Sequence, residues 1–184
     1  ASEDMADLIG LAKMILQASR TELFVPTKAV LVDDAEQPKA PATELIQRVL
    51  SPNDNESAST RILMVTGDAG AGKTRVLREL VRRQAEDYLA GRTSVLYLYV
   101  NAQGRALARL NEALATELQD LRVLLTYHAV ATLVRLGMLI PVIDGFDELL
   151  GVSGYEDAFS SLGLFIEELD GEGQIVASAR STYY

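Results

Sequence analysis

Eight consecutive residues, Gly67-Asp68-Ala69-Gly70-Ala71-Gly72-Lys73-Thr74, restrict the fold of this chain more than any other segment. Two glycines bracket four residues and are followed by Lys and Thr, the spacing of a phosphate-binding loop. The apolar run Ile62-Leu63-Met64-Val65 stands before the loop, and a helical pattern from Thr74 to Tyr88 follows it. A strand must therefore pass into a helix through a turn that needs positive φ, which glycine adopts without steric cost. Such a turn gathers backbone N–H groups towards one point, and the new helix adds unpaired amides and the positive end of its dipole. The spacing predicts nucleotide phosphates at that point, cradled by the backbone of Gly67, Asp68, Ala69, Gly70, Ala71 and Gly72. Lys73 is expected to reach the β- and γ-phosphates, the Thr74 hydroxyl to hold Mg²⁺, and Arg75 to approach the α-phosphate.

The rest of the chain supplies the sheet that such a loop requires. Strands are predicted at 61–66, 94–100, 139–144 and 174–177, alternating with helices at 73–90, 105–120, 124–136 and 155–169. Alternation of this kind predicts a parallel sheet with right-handed crossovers, a three-layer α/β/α architecture. Residues 1–60 read as a lead-in segment: a helix over 3–20 with Ile9, Ala12, Met14, Ile15 and Ala18 on one face, extended chain at 27–33, a loop at 34–41, a short helix over 43–50 and a polar linker at 51–60. The nucleotide-binding core is expected over 61–184.

The chain has 184 residues, 48% of them apolar and 23% charged, with a net charge of −9. The acidic balance argues against general nucleic-acid binding. With no cysteine and a single histidine, thiolate and imidazole metal sites are not expected and a reducing compartment is compatible. A start without basic residues is unlike a signal peptide, so a cytoplasmic protein is expected. The longest apolar stretch, Leu136 to Ile143, is too short for a membrane span and holds Gly137 and Pro141.

Leu139-Ile140-Pro141-Val142-Ile143-Asp144-Gly145-Phe146-Asp147-Glu148 supplies a second group of candidates. Ligands of open α/β sheets sit at the carboxyl ends of the strands. A strand neighbouring the loop strand and ending in Asp144 therefore brings a carboxylate to the metal. Asp147 and Glu148 follow where a carboxylate can orient or deprotonate an attacking water, and Glu148 is the expected base because its longer side chain reaches further. A last strand runs into Ala177-Ser178-Ala179-Arg180, where Arg180 is positioned to contact the γ-phosphate.

Taken together, these motifs resemble the STAND class of P-loop NTPases, and within it the NACHT family. Asp144-Gly145-Phe146-Asp147-Glu148 looks like the NACHT form of the Walker B motif: a metal-binding Asp, a small residue, an apolar residue and two more acids. Ala177-Ser178-Ala179-Arg180 is similar to the family's sensor strand, with Ala179 where Ser is usual. Phe24-Val25-Pro26 resembles the aromatic-Val-Pro stretch that lines the adenine pocket in many members, which makes Val25 and Pro26 nucleotide-binding candidates. The resemblance implies a slow ATPase that signals through its ATP/ADP state and oligomerises within a larger chain. An effector domain precedes the NTPase in such proteins and a sensor domain follows it, and many act in innate immunity or antiviral defence. It also implies a further strand and a lid beyond Tyr184, so an incomplete module is expected here.

Alternatives come from the same residues. A remodelling ATPase of the AAA+ kind shares the loop and an acidic pair, but its metal motif usually runs Asp-Glu directly, whereas Gly145 and Phe146 intervene here. A small-molecule kinase needs an acceptor site and an arginine-rich lid, a GTPase usually an Asn-Lys-x-Asp motif, and none is evident. A fourth reading is a scaffold that keeps ADP as a structural element. His128 is expected to have a structural or surface role rather than a catalytic one, Tyr97 and Tyr99 to be core or interface residues sharing one strand face, and Arg78, Arg82 and Arg83 to form a solvated helix face. No role is expected for the Asp68 side chain.

Overall fold

The computed structural model describes residues 2–19, 24–31, 39–50, 61–102, 110–121, 125–149 and 163–181. Four strands form one parallel sheet: β3 (Arg61–Gly67), β4 (Leu96–Asn101), β5 (Leu139–Asp144) and β6 (Gln174–Arg180), in spatial order β3-β6-β5-β4. The last strand in sequence thus sits inside the sheet, between the loop strand and the strand that ends in Asp144. The expectation that these two strands are neighbours is corrected. β3 pairs with β6 from Arg61↔Gln174 to Gly67↔Arg180, and Asp144 reaches the common edge from one strand further away.

Every residue of β5 is buried, as expected for a parallel strand covered on both faces. Pro141 is tolerated inside it because β5 pairs with β6 only at Val142 and Ile143, beyond the proline. Helix α3 (Lys73–Leu89) crosses from β3 to β4. The connection from β4 back to β5 runs in the opposite direction through α4 (Leu110–Asp120) and α5 (Tyr127–Arg135), and a helical segment at 163–168 precedes β6. Right-handed crossovers then put α3 on one face and α5 on the other. Thr126 caps α5, its side chain accepting from the Ala129 amide at 3.2 Å.

The lead-in segment packs onto this core. On α1 (Ser2–Ala18), Leu8, Leu11, Ala12 and Ile15 are at most 5% exposed. Their i, i+3, i+4, i+7 spacing forms one stripe against α3. The buried face differs from the expected one: Ile9 is 39% exposed, and Ala18 also faces solvent. Fully burying a leucine contributes about 1.5–3 kcal/mol, so α1 belongs energetically to the core it covers. Part of the expected 34–41 loop is strand: β2 (Ala40–Pro41) pairs antiparallel with β1 (Lys28–Ala29). Helix α2 (Ala42–Leu50) then packs Leu45, Ile46 and Leu50 inward. The polar linker at 51–60 lies outside the described residues.

Candidate functional site

β3 ends at Gly67, and the next residues turn twice through the left-handed region, at Gly70 (φ 77°) and Gly72 (φ 88°). Gly72 is the residue before α3 and caps it with no side chain. The helix therefore starts with its first amides directed at the loop rather than at a capping oxygen. The Lys73 ammonium folds back across the loop, donating to the Gly67 carbonyl at 2.6 Å and the Asp68 carbonyl at 2.9 Å. A bound phosphate would compete for the same cation. Thr74 follows in the first turn of α3, and Arg75 is exposed beside it. The Asp68 side chain, given no role from sequence, accepts from Ser181 Oγ just past the end of β6.

Strand register brings the second group to the same edge. Asn101 is level with Asp144, Val142 with Val176, and Gly67 with Arg180. Side chains alternate along a strand with period two. Tyr97, Tyr99 and Asn101 of β4, Asp144 of β5, and Ser178 and Arg180 of β6 therefore share one face of the sheet.

Asp144 is fully buried. Its Oδ1 accepts from Ser178 Oγ at 2.6 Å, and its Oδ2 accepts from the Tyr99 hydroxyl at 2.8 Å. The Ser178 oxygen itself accepts from the Gly145 amide at 3.0 Å, which fixes the direction of its own proton towards the carboxylate. Burial, and next the Asp144 carboxylate, push the Tyr99 hydroxyl well above the ordinary tyrosine range, so Tyr99 stays a donor. The Arg78 guanidinium lies over the Tyr99 ring, 5.2 Å from its centroid.

Gly145 (φ 78°) turns the chain after β5 into the short helix α6 (Phe146–Leu149). Phe146 is buried, and the carboxylate of Asp147 sits 3.4 Å from Arg180 Nε. The Asp147 side chain is 4% exposed and that of Arg180 47% exposed, so this arginine spans from the buried acid to the surface. The backbone of Glu148 lies in α6, while its side chain falls outside the described residues. Val25 is 69% exposed and Pro26 is exposed as well. The next residue, Thr27, lies near the loop: a Cβ built on Gly72 would be 3.5 Å from Thr27 Oγ1.

Sequence reasoning missed Ser178 and Tyr99 as site residues. Ser178 stood inside a motif singled out for its arginine. Tyr99 was visible only as half of a strand-face pair, with nothing local to tell it from Tyr97. The arginines of α3 are more than a solvated face. Arg82 and Arg83 both bind Glu79, at 2.9 and 2.6 Å, while Arg78 covers Tyr99. His128 is exposed, 3.6 Å from Glu168 and edge-on to Tyr127.

A cavity of about 300 Å³ adjoins the site, with Thr74, Arg78, Tyr99 and Phe24 in its wall. Among the described residues no three acidic or histidine side chains cluster as a protein-only metal site, and no helix is long and apolar enough to cross a membrane.

A family model described as an AAA domain matches residues 55–175, more than half of the chain. No curated protein matches it. Of the solved structures that match, that of C. elegans PCH-2 shares 14% sequence identity at a TM-score of 0.39. That alignment covers 97% of this chain and 37% of PCH-2, so the chain spans little more than a third of that protein.

Proposed function

The chain belongs to the AAA-domain family of P-loop NTPases, and on that premise we propose that it is an ATP/ADP-binding switch of the NACHT/STAND kind, with slow, Mg²⁺-dependent hydrolysis. Gly67 to Thr74 bind the phosphates, with Lys73 leaving the carbonyls of Gly67 and Asp68 for the β- and γ-phosphates. The donor set fits Mg²⁺. Thr74 and Asp144 offer hard oxygens, the ligands Mg²⁺ takes together with nucleotide phosphates. Bound there, the ion neutralises charge on the phosphates. Glu148 activates the attacking water, and Asp147 holds Arg180.

The observation that carries the switch reading is the Arg180–Asp147 pair, on a strand whose register sets Arg180 level with Gly67. An arginine already engaged by a buried acid has two competing anions once a γ-phosphate arrives. ADP offers no such competitor. The two nucleotides therefore differ in their contacts, the condition for a ligand to shift a conformational equilibrium. Movement of Arg180 frees Asp147 and α6, which transmit the state to effector and sensor domains outside these 184 residues and to homo-oligomer contacts in a cytoplasmic signalling or defence protein.

Hydrogen exchange with ADP and with a non-hydrolysable ATP analogue tests this. Different protection of α6 and the end of β6 is expected, and identical patterns at saturation would refute the switch. Membership of the AAA-domain family favours a second reading, a remodelling ATPase. Rapid multiple turnover coupled to a polymer substrate would select it.

A further inference from the structure

We propose that Tyr99 is a positioning residue for the metal site, its hydroxyl holding the Asp144 carboxylate in the orientation that receives Mg²⁺. The proposal rests on the reading of Asp144 as the metal-side carboxylate. It starts from an asymmetry within β4. Tyr97 and Tyr99 point to the same face and both are largely buried, yet it is Tyr99 whose hydroxyl meets Asp144, at 2.8 Å. A carboxylate has about four acceptor positions, and the neutral hydroxyls of Tyr99 and Ser178 occupy one on each oxygen. That pair fixes the rotation of the carboxyl plane without neutralising its charge. An arginine or lysine in the same place would fix it while competing with the cation.

The ring is held in turn by the helix that begins the nucleotide site. Arg78 lies over it, and Arg78 stands four residues after Thr74 on α3, so both face the same side of that helix. Thr74, Arg78 and Tyr99 line one cavity. Tyr99 thus meets Asp144 of β5 directly and shares a cavity with Thr74 of α3, the other expected metal-side residue. Outer-shell partners of this kind change metal affinity by about 10–100-fold when removed.

The test measures ADP affinity by calorimetry in EDTA and across a Mg²⁺ series, on the intact chain. Tyr99→Phe keeps the ring beneath Arg78 and removes the hydroxyl, which is both the donor to Asp144 and a partner of Arg78. Its affinity for ADP without Mg²⁺ is expected to equal that of the wild type, while the Mg²⁺ concentration giving half the metal-dependent gain rises at least tenfold. Tyr97→Phe, on the same strand face, is expected to leave that concentration unchanged. An unchanged value in Tyr99→Phe overturns the proposal, as does an equal loss of ADP affinity with and without Mg²⁺, which would mark a purely structural role. Asp144→Asn separates the two layers of the argument. If it abolishes the Mg²⁺ effect while Tyr99→Phe is silent, the Tyr99 assignment fails and the metal reading stands. If Asp144→Asn keeps the wild-type Mg²⁺ dependence, the metal reading fails and takes the Tyr99 assignment with it.

Discussion

Ser178→Ala should be among the most damaging single-atom changes in the sheet. The hydroxyl is fully buried and works in both directions, donating to Asp144 Oδ1 at 2.6 Å and accepting from the Gly145 amide at 3.0 Å. A hydrogen bond to a charged group contributes about 1.5–3 kcal/mol, and a buried amide left without a partner costs about 1–3 kcal/mol. With partial relaxation the sum is about 3–5 kcal/mol, set against a total stability of about 5–15 kcal/mol for a domain. Urea unfolding followed by circular dichroism measures it, and a lower midpoint at unchanged m-value would report lost stability rather than a changed unfolded state. Thr116→Ala is the control, because its hydroxyl also makes a hydrogen bond, to the Glu112 carbonyl at 2.8 Å, but on an exposed surface. That variant should stay within about 0.5 kcal/mol of the wild type. A Ser178→Ala effect below about 1 kcal/mol would refute the reasoning, since it would mean that water or a neighbouring group satisfies both partners.

Other expectations concern distinct parts of the molecule. Gly173→Ala should destabilise by about 2–4 kcal/mol in thermal unfolding, since its φ is 93° and the new Cβ would lie 2.8 Å from Val134 Cγ1 and the Val134 carbonyl oxygen. Gly137→Ala, also at positive φ (66°) but with nothing within 4 Å, should lose only about 1–2 kcal/mol. Glu79 is held below the ordinary carboxylate value of 4.5, chiefly by its hydrogen bonds to Arg82, against the opposing effect of burial, with Arg83 adding to the depression. A depressed folded pKa gives stability that is present above the unfolded value and lost as pH falls through the folded one. The stability difference between wild type and Glu79→Gln should therefore be full at neutral pH and shrink below pH 4.5. Lys73→Ala should abolish ADP binding in calorimetry, whereas Glu148→Gln should keep it and slow phosphate release at least a hundredfold, about the lower range for loss of a general base.

Local features were legible in the sequence because they follow from local physics. The glycines of the loop announce their own backbone angles, and Gly70 and Gly72 are both in the left-handed region. The unbroken apolar run from Leu139 to Ile143 implies two covered faces, and β5 is buried throughout. What stayed hidden depends on pairings between distant segments. Nothing local in residues 174–180 tells that β6 lies between β3 and β5. Without that order, Ser178 cannot be seen beside Asp144, nor Tyr99 across from it. The α1 stripe failed for a different reason. Its apolar residues cover more than one face, so Leu8 and Leu11 compete with Ile9 and Met14 for the inside, and only the shape of α3 decides. The hairpin of β1 and β2 has two residues per strand, too few to carry an alternating pattern.

The position of β6 also sets the order in which the molecule can be made. Asp68 and Ser181, joined across the mouth of the site, are 113 residues apart in the chain. Among the described strands β3 pairs with β6 alone. During synthesis, the strand that carries the nucleotide loop therefore waits for this partner until residues 174–180 have emerged. Until then both β3 and β5 present open edges, which are prone to wrong pairings. A nascent chain stopped at Gly173 holds the whole phosphate loop and Asp144 but lacks the strand that lies between them in the folded sheet. A circular permutant that supplied β6 before β3 would remove this delay while keeping the same strand order in the sheet.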